Sequence, residues 1–548
     1  MTAFITALGA AARSAGCLIT GEPTAPVRTP WLEVHAAGRR GAARLVAAGL
    51  RPGGTVAVLA AAPAEVAPLV QAAWWAGASV TMLHQPTART DPGHFAAETA
   101  QVLGVIGAHH VLLGEQFAAF DGRLRAAGIG VHHAAALTGD GDELAEPVAV
   151  EEESTLLLQL TSGSTATPKA VRISHANAWN NLNAMRVRAE IVPGASVMVS
   201  WLPLFHDMGM VGFLTLPMVF GVDVVTVTPT DFLRSPLLWF ELVTRYGGTH
   251  TAAPNFAYAL AARALHRAEG LDLSTLRFAL NGAEPIDVTA VRAFLAAGER
   301  FGLPPTAMVP AYGMAETTLG VSIQHTGRPF TVDVLDAVAL EEERVARPPT
   351  TEHAAVRSFP RLGQPLDDIE VQVRDDAGTV LADGGVGTLY IRGPAVTDRY
   401  LTVDGDVDTQ GADGWLDTGD VGYLVDGDVV VCGRVKDVII MGGRNIYPTD
   451  IERVATSVDG VRAGNAIAVR WTASGGRESF VVACESRQAE DTTEVARIVQ
   501  QVRAAVTTAL GVRPAQVLVL PVGSIPKTPS GKLKRSAAKE WLERRAAG

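Results

Sequence analysis

Two periods of hydrophobicity alternate through the first 330 residues of the chain. Arg40 to Leu50 gathers its apolar residues on one helical face, and TVAVLAAA at 55–62 follows as an apolar run with no polar face. Pro63 to Ala76 reads as a helix, and ASVTML at 78–83 as a second buried strand. The succession returns in SVMVSWLPL (196–204), VDVVTVTP (222–229), a helix from Pro236 to Tyr246, and THTAAP (249–254). Buried strands separated by helices predict an α/β body of doubly wound parallel sheets.

The pattern changes after Ile323. Residues 324–360 are polar and include the charged patch LEEERVARPPTTEH. Short alternating runs come next: IEVQVRDD (369–376), GTLYIRG (387–393) and DVVVCGRVKDVII (428–440), separated by turns such as DDAG and VDGD. They predict a β-rich subdomain over about 324–434. Mixed signals then return: a helix at 450–457, strands at 466–471 and 479–486, a helix from Glu494 to Leu510, and a strand at 515–521. A boundary near Arg434 makes 1–434 an N-terminal body and 435–548 a small C-terminal α/β domain.

Composition narrows the function. With 48% hydrophobic and 19% charged residues, the chain is neither collagen-like nor disordered. A net charge of −11 argues against a general nucleic-acid binder. Cys17, Cys432 and Cys484 lie far apart, which gives neither metal-ligand spacing nor a disulfide framework. The most apolar long stretch, Val56 to Leu83, is broken by Pro63, Glu65, Pro68 and Gln71. No membrane span is expected, and the N-terminus lacks the basic start of a signal peptide. The default is a cytoplasmic protein.

Five segments carry candidate chemistry. LLLQL opens into Thr161-Ser162-Gly163-Ser164-Thr165-Ala166-Thr167-Pro168-Lys169. Backbone N–H and hydroxyl groups in such a run wrap phosphate oxygens, and Lys169 adds charge; a plain loop is the other reading. WLPLFHDMGMVG (201–212) sets His206 and Asp207 within an apolar run, as a cleft pair or a satisfied core pair. FALNGAEPI (278–286) and PAYGMAETTLGVS (310–322) read as strand ends opening into loops, where open α/β sheets bind ligands. There Glu316 could hold magnesium and Tyr312 could stack on a base; a surface glutamate and a packed tyrosine are the alternatives. In the fourth segment, 414–452, Asp420 suits a sugar diol, and Arg434 can fork onto phosphate or ribose. The fifth, SIPKTPSGKLKR (524–535), is by itself a basic solvated stretch.

In this order the five segments resemble the core motifs of the adenylate-forming superfamily, which includes acyl-CoA synthetases, fatty acyl-AMP ligases, luciferases and adenylation domains. The resemblance covers nearly the whole chain, from about Arg40 to Arg535. It implies ATP and Mg²⁺ as cofactors and two half-reactions: a carboxylate attacks the α-phosphate of ATP, and a thiol then takes the acyl group from AMP. It assigns Thr161, Ser162, Gly163, Ser164, Thr165 and Lys169 to the phosphates. Gly282, Ala283, Glu284, Tyr312, Gly313 and Met314 line the adenine pocket. Glu316 ligates Mg²⁺, and His206 joins Glu316, Lys169 and Lys532 among the catalytic residues. Asp420 binds the ribose hydroxyls, with Arg434 close by. Lys532 bridges carboxylate and α-phosphate, and Lys436 is the hinge on which a mobile C-terminal domain turns.

Within the superfamily the chain is most similar to fatty acyl-AMP ligases, through LPLFHDMGMVG, TAAPNFAYAL (251–260), GGRNIYPTDIE (442–452) and the long excursion between Glu316 and Gly363. An insertion there is associated in that group with weak or absent CoA ester formation and delivery to an acyl carrier protein. Ala315 stands where many superfamily relatives carry threonine but acyl-AMP ligases often carry alanine, whereas Thr317 and Gly320 depart from that group's usual run. Phe205, Met208, Met210, Phe213 and Phe256 suggest an apolar acid. The alternatives are an acyl-CoA ligase for a fatty or bulky polycyclic acid and, more remotely, a silent adenylate-binding module.

Overall fold

The computed structural model describes residues 1–86, 91–161, 169–441, 444–472, 478–527 and 533–547. Two large sheets form the body. One has eight strands in the order Gly405–Asp408, Arg399–Thr402, Lys169–Ser174, Thr155–Thr161, Ser79–Met82, Thr55–Leu59, Ala108–Leu113 and Gly130–His133. The other has nine: Gln364–Pro365, Gly320–Ile323, Met308–Gly313, Phe278–Asn281, His250–Ala253, Val197–Ser200, Asp223–Thr226, Cys17–Thr20 and Val27–Pro30. Their central strands are parallel and fully buried, which the apolar runs required. Among the described residues no helix is long and apolar enough to cross a membrane.

The helix expected from Arg40 starts earlier, at Trp31, and ends at Ala47. Glycines obscured its apolar face. A Cβ at Gly38 would lie 2.8 Å from Gln71 Cβ, and one at Gly41 would lie 2.7 Å from Ala72 Cβ. The missing side chains let this helix seat closely on Pro63–Trp75. The run SVMVSWLPL yields a strand only over Val197–Ser200, because the residues beyond leave the sheet to line a cavity.

Residues 324–434 divide among several sheets. Val332–Asp336 and Val356–Pro360 form a hairpin. Glu370–Arg374, Gly387–Arg392, Leu416–Val425 and Asp428–Arg434 form an antiparallel four-stranded sheet. Gln364–Pro365 and Arg399–Asp408, however, complete the edges of the two large sheets. The single run expected over 428–440 is interrupted by a 3₁₀ turn at Val435–Asp437, where exposed Val435 has no apolar neighbourhood to hold it extended. The chain then enters a three-stranded sheet, Ala466–Thr472, Glu478–Glu485 and Gln516–Leu520, with the helices Pro448–Thr456, Thr492–Leu510 and Arg535–Ala547. All three cysteines are buried and unbridged.

The segment 324–360 is firmly packed. Leu335, Leu340 and Phe359 share a core with Tyr423, Val430, Val438 and Tyr447. Inside it Glu341, 1% exposed, accepts from Arg357 at 2.5 Å and from Arg444 at 2.5 Å. Arg357 also lies 3.3 Å from Asp450, an ion pair without hydrogen-bond alignment. One buried carboxylate therefore joins the hairpin to the start of the C-terminal region. Removing one partner of such a pair strands the others out of water. Glu341→Gln is expected to lower the unfolding free energy by about 3 kcal/mol, read as a shift in denaturant midpoint at unchanged slope.

Candidate active site

A two-residue turn sets the first charged pair. Leu416–Val425 and Asp428–Arg434 are joined by Asp426-Gly427, both at positive φ, the conformation that Asp-Gly turns favour. Regular pairing from this turn would put Gly433 opposite Asp420. A bulge at Val421/Gly422 adds one residue and puts Arg434 there instead. Arg434 Nε then lies 3.2 Å from Asp420 Oδ1, and Tyr312 donates its phenol to Oδ2 at 2.6 Å. Asp420 is 4% exposed. Burial raises its pKa, opposed by Arg434 and Tyr312. Burial and the same carboxylate push the Tyr312 phenol up, so it remains a donor.

Tyr312 ends the strand Met308–Gly313, and the chain reverses at once. Met314 donates to the carbonyl of Leu319 at 2.9 Å, and Thr318 to that of Ala315 at 2.9 Å. A Cβ at Gly313 would lie 2.1 Å from the Leu319 carbonyl oxygen, so only glycine fits. The reversal carries Glu316 to the end of the neighbouring sheet. There Tyr400 donates to Glu316 Oε1 at 2.7 Å, and Lys169 Nζ stands 3.3 Å from the centre of the Tyr400 ring. Burial lowers the Lys169 pKa; Glu316 offsets this, and Lys436 in the 435–437 turn adds to it.

On the other side, Gly282-Ala283-Glu284 follows the strand Phe278–Asn281. Ala283 holds φ +68°, an uncommon conformation for a residue with a side chain. Glu284 Oε1 accepts from the backbone of Phe256 at 2.7 Å, which ties this loop to the first turn of the helix Asn255–Leu265. His206 Nδ1 lies 2.5 Å from Asp207 Oδ1 at the mouth of a π-helical segment, Met208–Thr215, so the pair borders the cleft and is not sealed in the core.

These groups surround one cavity of about 3060 Å³. Thr161, Lys169, His206, Gly282, Ala283, Glu284, Tyr312, Gly313, Met314, Glu316, Asp420, Arg434 and Lys436 all line it. Ser162, Gly163, Ser164, Thr165 and Lys532 lie outside the described residues. Lys534 and Arg535, just past Lys532, reach the cavity from the C-terminal side. Phe205, Met208, Phe213 and Phe256 line it as expected. Met210 does not; it is fully buried in the body's core.

Sequence reading missed the deep wall, built by Met198, Trp201, His250 and Phe278. Their signal was ambiguous, because a buried strand residue and a cavity residue are both apolar. His250 is the exception. Burial lowers its pKa to about 4, so it is a neutral ring bound to the Ala189 carbonyl at 2.8 Å. His84, stacked on Phe205, was also missed; burial and His206 lower its pKa. Tyr400 was missed because its strand looked like part of a separate β layer.

Comparison with known proteins agrees with this geometry. The AMP-binding enzyme family model matches residues 19–401, and the AMP-binding enzyme C-terminal domain matches 443–539. A Mycobacterium tuberculosis protein, Rv1013, provisionally named a ligase, is 52% identical over 523 residues, covering 95% of each chain. The medium-chain-fatty-acid–[acyl-carrier-protein] ligase JamA of Moorena producens is 34% identical over 72% of this chain and 69% of its own. A solved structure from work on fatty acyl-adenylate ligases of E. coli and L. pneumophila superposes with a TM-score of 0.90 at 30% identity, covering 100% of this chain and 99% of that one. The chain belongs to the AMP-binding enzyme family and is an acid-activating ligase with the adenylate-forming fold.

Proposed function

We propose that this ligase joins an apolar carboxylic acid to AMP from ATP and delivers the acyl group to the phosphopantetheine thiol of an acyl carrier protein. The observation that carries the choice of acceptor is the packed segment 324–360, pinned through Glu341 to Arg357 and Arg444. A hairpin so anchored ties the C-terminal region to the body and would oppose a rearrangement for thiol transfer that had to break this contact. The similarity to JamA, a fatty-acid–[acyl-carrier-protein] ligase, supports the same acceptor.

The site residues fit ATP. Gly282, Ala283 and Glu284 with Tyr312, Gly313 and Met314 form a slot for a flat base, and Asp420 offers carboxylate oxygens to a ribose diol beside Arg434. Lys169 and Thr161 line the cleft where the phosphates would lie. Among the described residues no group of three or more His, Cys, Asp or Glu forms a metal cage. A single carboxylate, Glu316, suits magnesium that arrives with the nucleotide, since that ion keeps its water and binds through one or two carboxylates plus phosphates. Bound magnesium supplies neutralising charge to the phosphates. The chain's part is to align two anions that repel each other: Lys169 holds the phosphates, and Lys532 bridges the acid and the α-phosphate. Met198, Trp201, Phe213, Phe256 and Phe278 give the acid a largely apolar seat.

Product analysis and two variants, Lys532→Ala and Asp420→Asn, test this reading. With ATP, Mg²⁺ and a panel of apolar acids, mass analysis is expected to show acyl-AMP unchanged by CoA, and acyl transfer once a phosphopantetheinylated carrier is added. Efficient acyl-CoA formation would make the enzyme a CoA ligase. Lys532→Ala should lower adenylate formation by at least about a hundredfold, while transfer from supplied acyl-AMP persists; equal loss of both steps counts against the bridging role. Asp420→Asn should weaken ATP binding about tenfold or more by calorimetry. The same change is expected to raise thermal stability at alkaline pH. A carboxyl with a raised folded pKa holds its proton more tightly folded than unfolded, so its contribution favours folding at low pH and is lost as pH rises through the raised value. The amide escapes that loss, so the gap in melting temperature opens as pH climbs above the ordinary carboxyl range.

A further inference from the structure

Tyr400 belongs to one sheet and holds a residue carried by the other. Its strand, Arg399–Thr402, pairs with Lys169–Ser174, with Tyr400 opposite Val171 and Leu401 opposite Ala170. Glu316 hangs from the nine-stranded sheet, three residues past the strand Met308–Gly313. The phenol donates to Glu316 Oε1 at 2.7 Å, and the ring faces Lys169 Nζ at 3.3 Å. The backbone repeats the tie, because Thr397 donates its N–H to the Glu316 carbonyl at 2.8 Å.

We propose that Tyr400 is the positioning residue of the phosphate end of the site. Its hydroxyl fixes one oxygen of Glu316 and leaves the other for the metal. Its ring holds the ammonium of Lys169 beside that carboxylate until phosphate draws it away. A glutamate has three rotatable bonds, and a metal must order them when it binds. A hydrogen bond from outside the coordination sphere does part of that ordering in advance, and losing such a partner typically weakens metal binding about 10–100-fold. An ammonium over a phenol face is attracted without being neutralised, so it remains available to a stronger anion. The inference rests on the reading of Glu316 as the magnesium ligand.

The test is ATP binding followed calorimetrically without acid across a series of Mg²⁺ concentrations, for the parent, Tyr400→Phe, Glu316→Gln and the double variant. The phenylalanine keeps the ring over Lys169 and removes only the hydroxyl. It is expected to raise the half-saturating Mg²⁺ about tenfold, leave metal-free ATP binding unchanged, and have no further effect in the Glu316→Gln background. If Tyr400→Phe titrates like the parent while Glu316→Gln loses the metal response, the positioning role falls and the ligand role stands. If Glu316→Gln keeps the parental metal response, the ligand role falls and the positioning role with it. An equal shift from Tyr400→Phe in both backgrounds also overturns the proposal, because the hydroxyl would then act elsewhere.

Discussion

Charge that is partly withdrawn from water has to be held by something, and that requirement organises the cleft. Asp420, Glu316, Lys169 and Glu341 would each be costly alone. Each is met by a partner: Asp420 by Tyr312, Glu316 by Tyr400 and Glu341 by Arg444 come from different layers of the fold, and Lys169 is met by Tyr400 on the next strand of its own sheet. The polar groups thus do two jobs. They stand ready for a charged ligand, and they also fasten one sheet to another.

The cost is visible in direction. Burial raises the Asp420 pKa and lowers that of Lys169 despite their partners. A nucleotide would bring to these positions the hydroxyls and phosphates that the free protein lacks. Surplus electrostatic energy in the free site is one way a fold can bind a polyanion with few residues. The Glu341 cluster differs, since its two arginine partners, one of them also paired with Asp450, are all supplied by the protein.

Much of this was legible in the chain. Apolar runs without a polar face gave the parallel strands of the body, and Asp-Gly marked the turn that aligns Asp420. Glu316 stood out as a polar group in a loop after an apolar strand, whereas Gly282 and Glu284 were assigned through the family resemblance. Three things were not legible, for separate reasons. Register depends on a bulge that no residue type announces, so the facing of Asp420 and Arg434 could not be read from spacing. Sheet membership of 399–408 depends on long-range pairing, which hid Tyr400. Glycines replaced the apolar face of the helix Trp31–Ala47 at its tightest contacts, so its first turns carried no periodic signal.

The strand Cys17–Thr20 lies between Val27–Pro30, its hairpin partner, and Asp223–Thr226, more than two hundred residues further along the chain. During synthesis it therefore emerges long before the strand that completes its ladder. Until then its backbone groups present an open edge, the kind of surface that recruits other unfinished chains. The partner strand in turn needs Val197–Ser200 beside it, and the far edge of the sheet is not made until Gln364–Pro365. Folding of this body is consequently a late event on the ribosome, governed by loop closure over long distances and not by the order in which the helices appear.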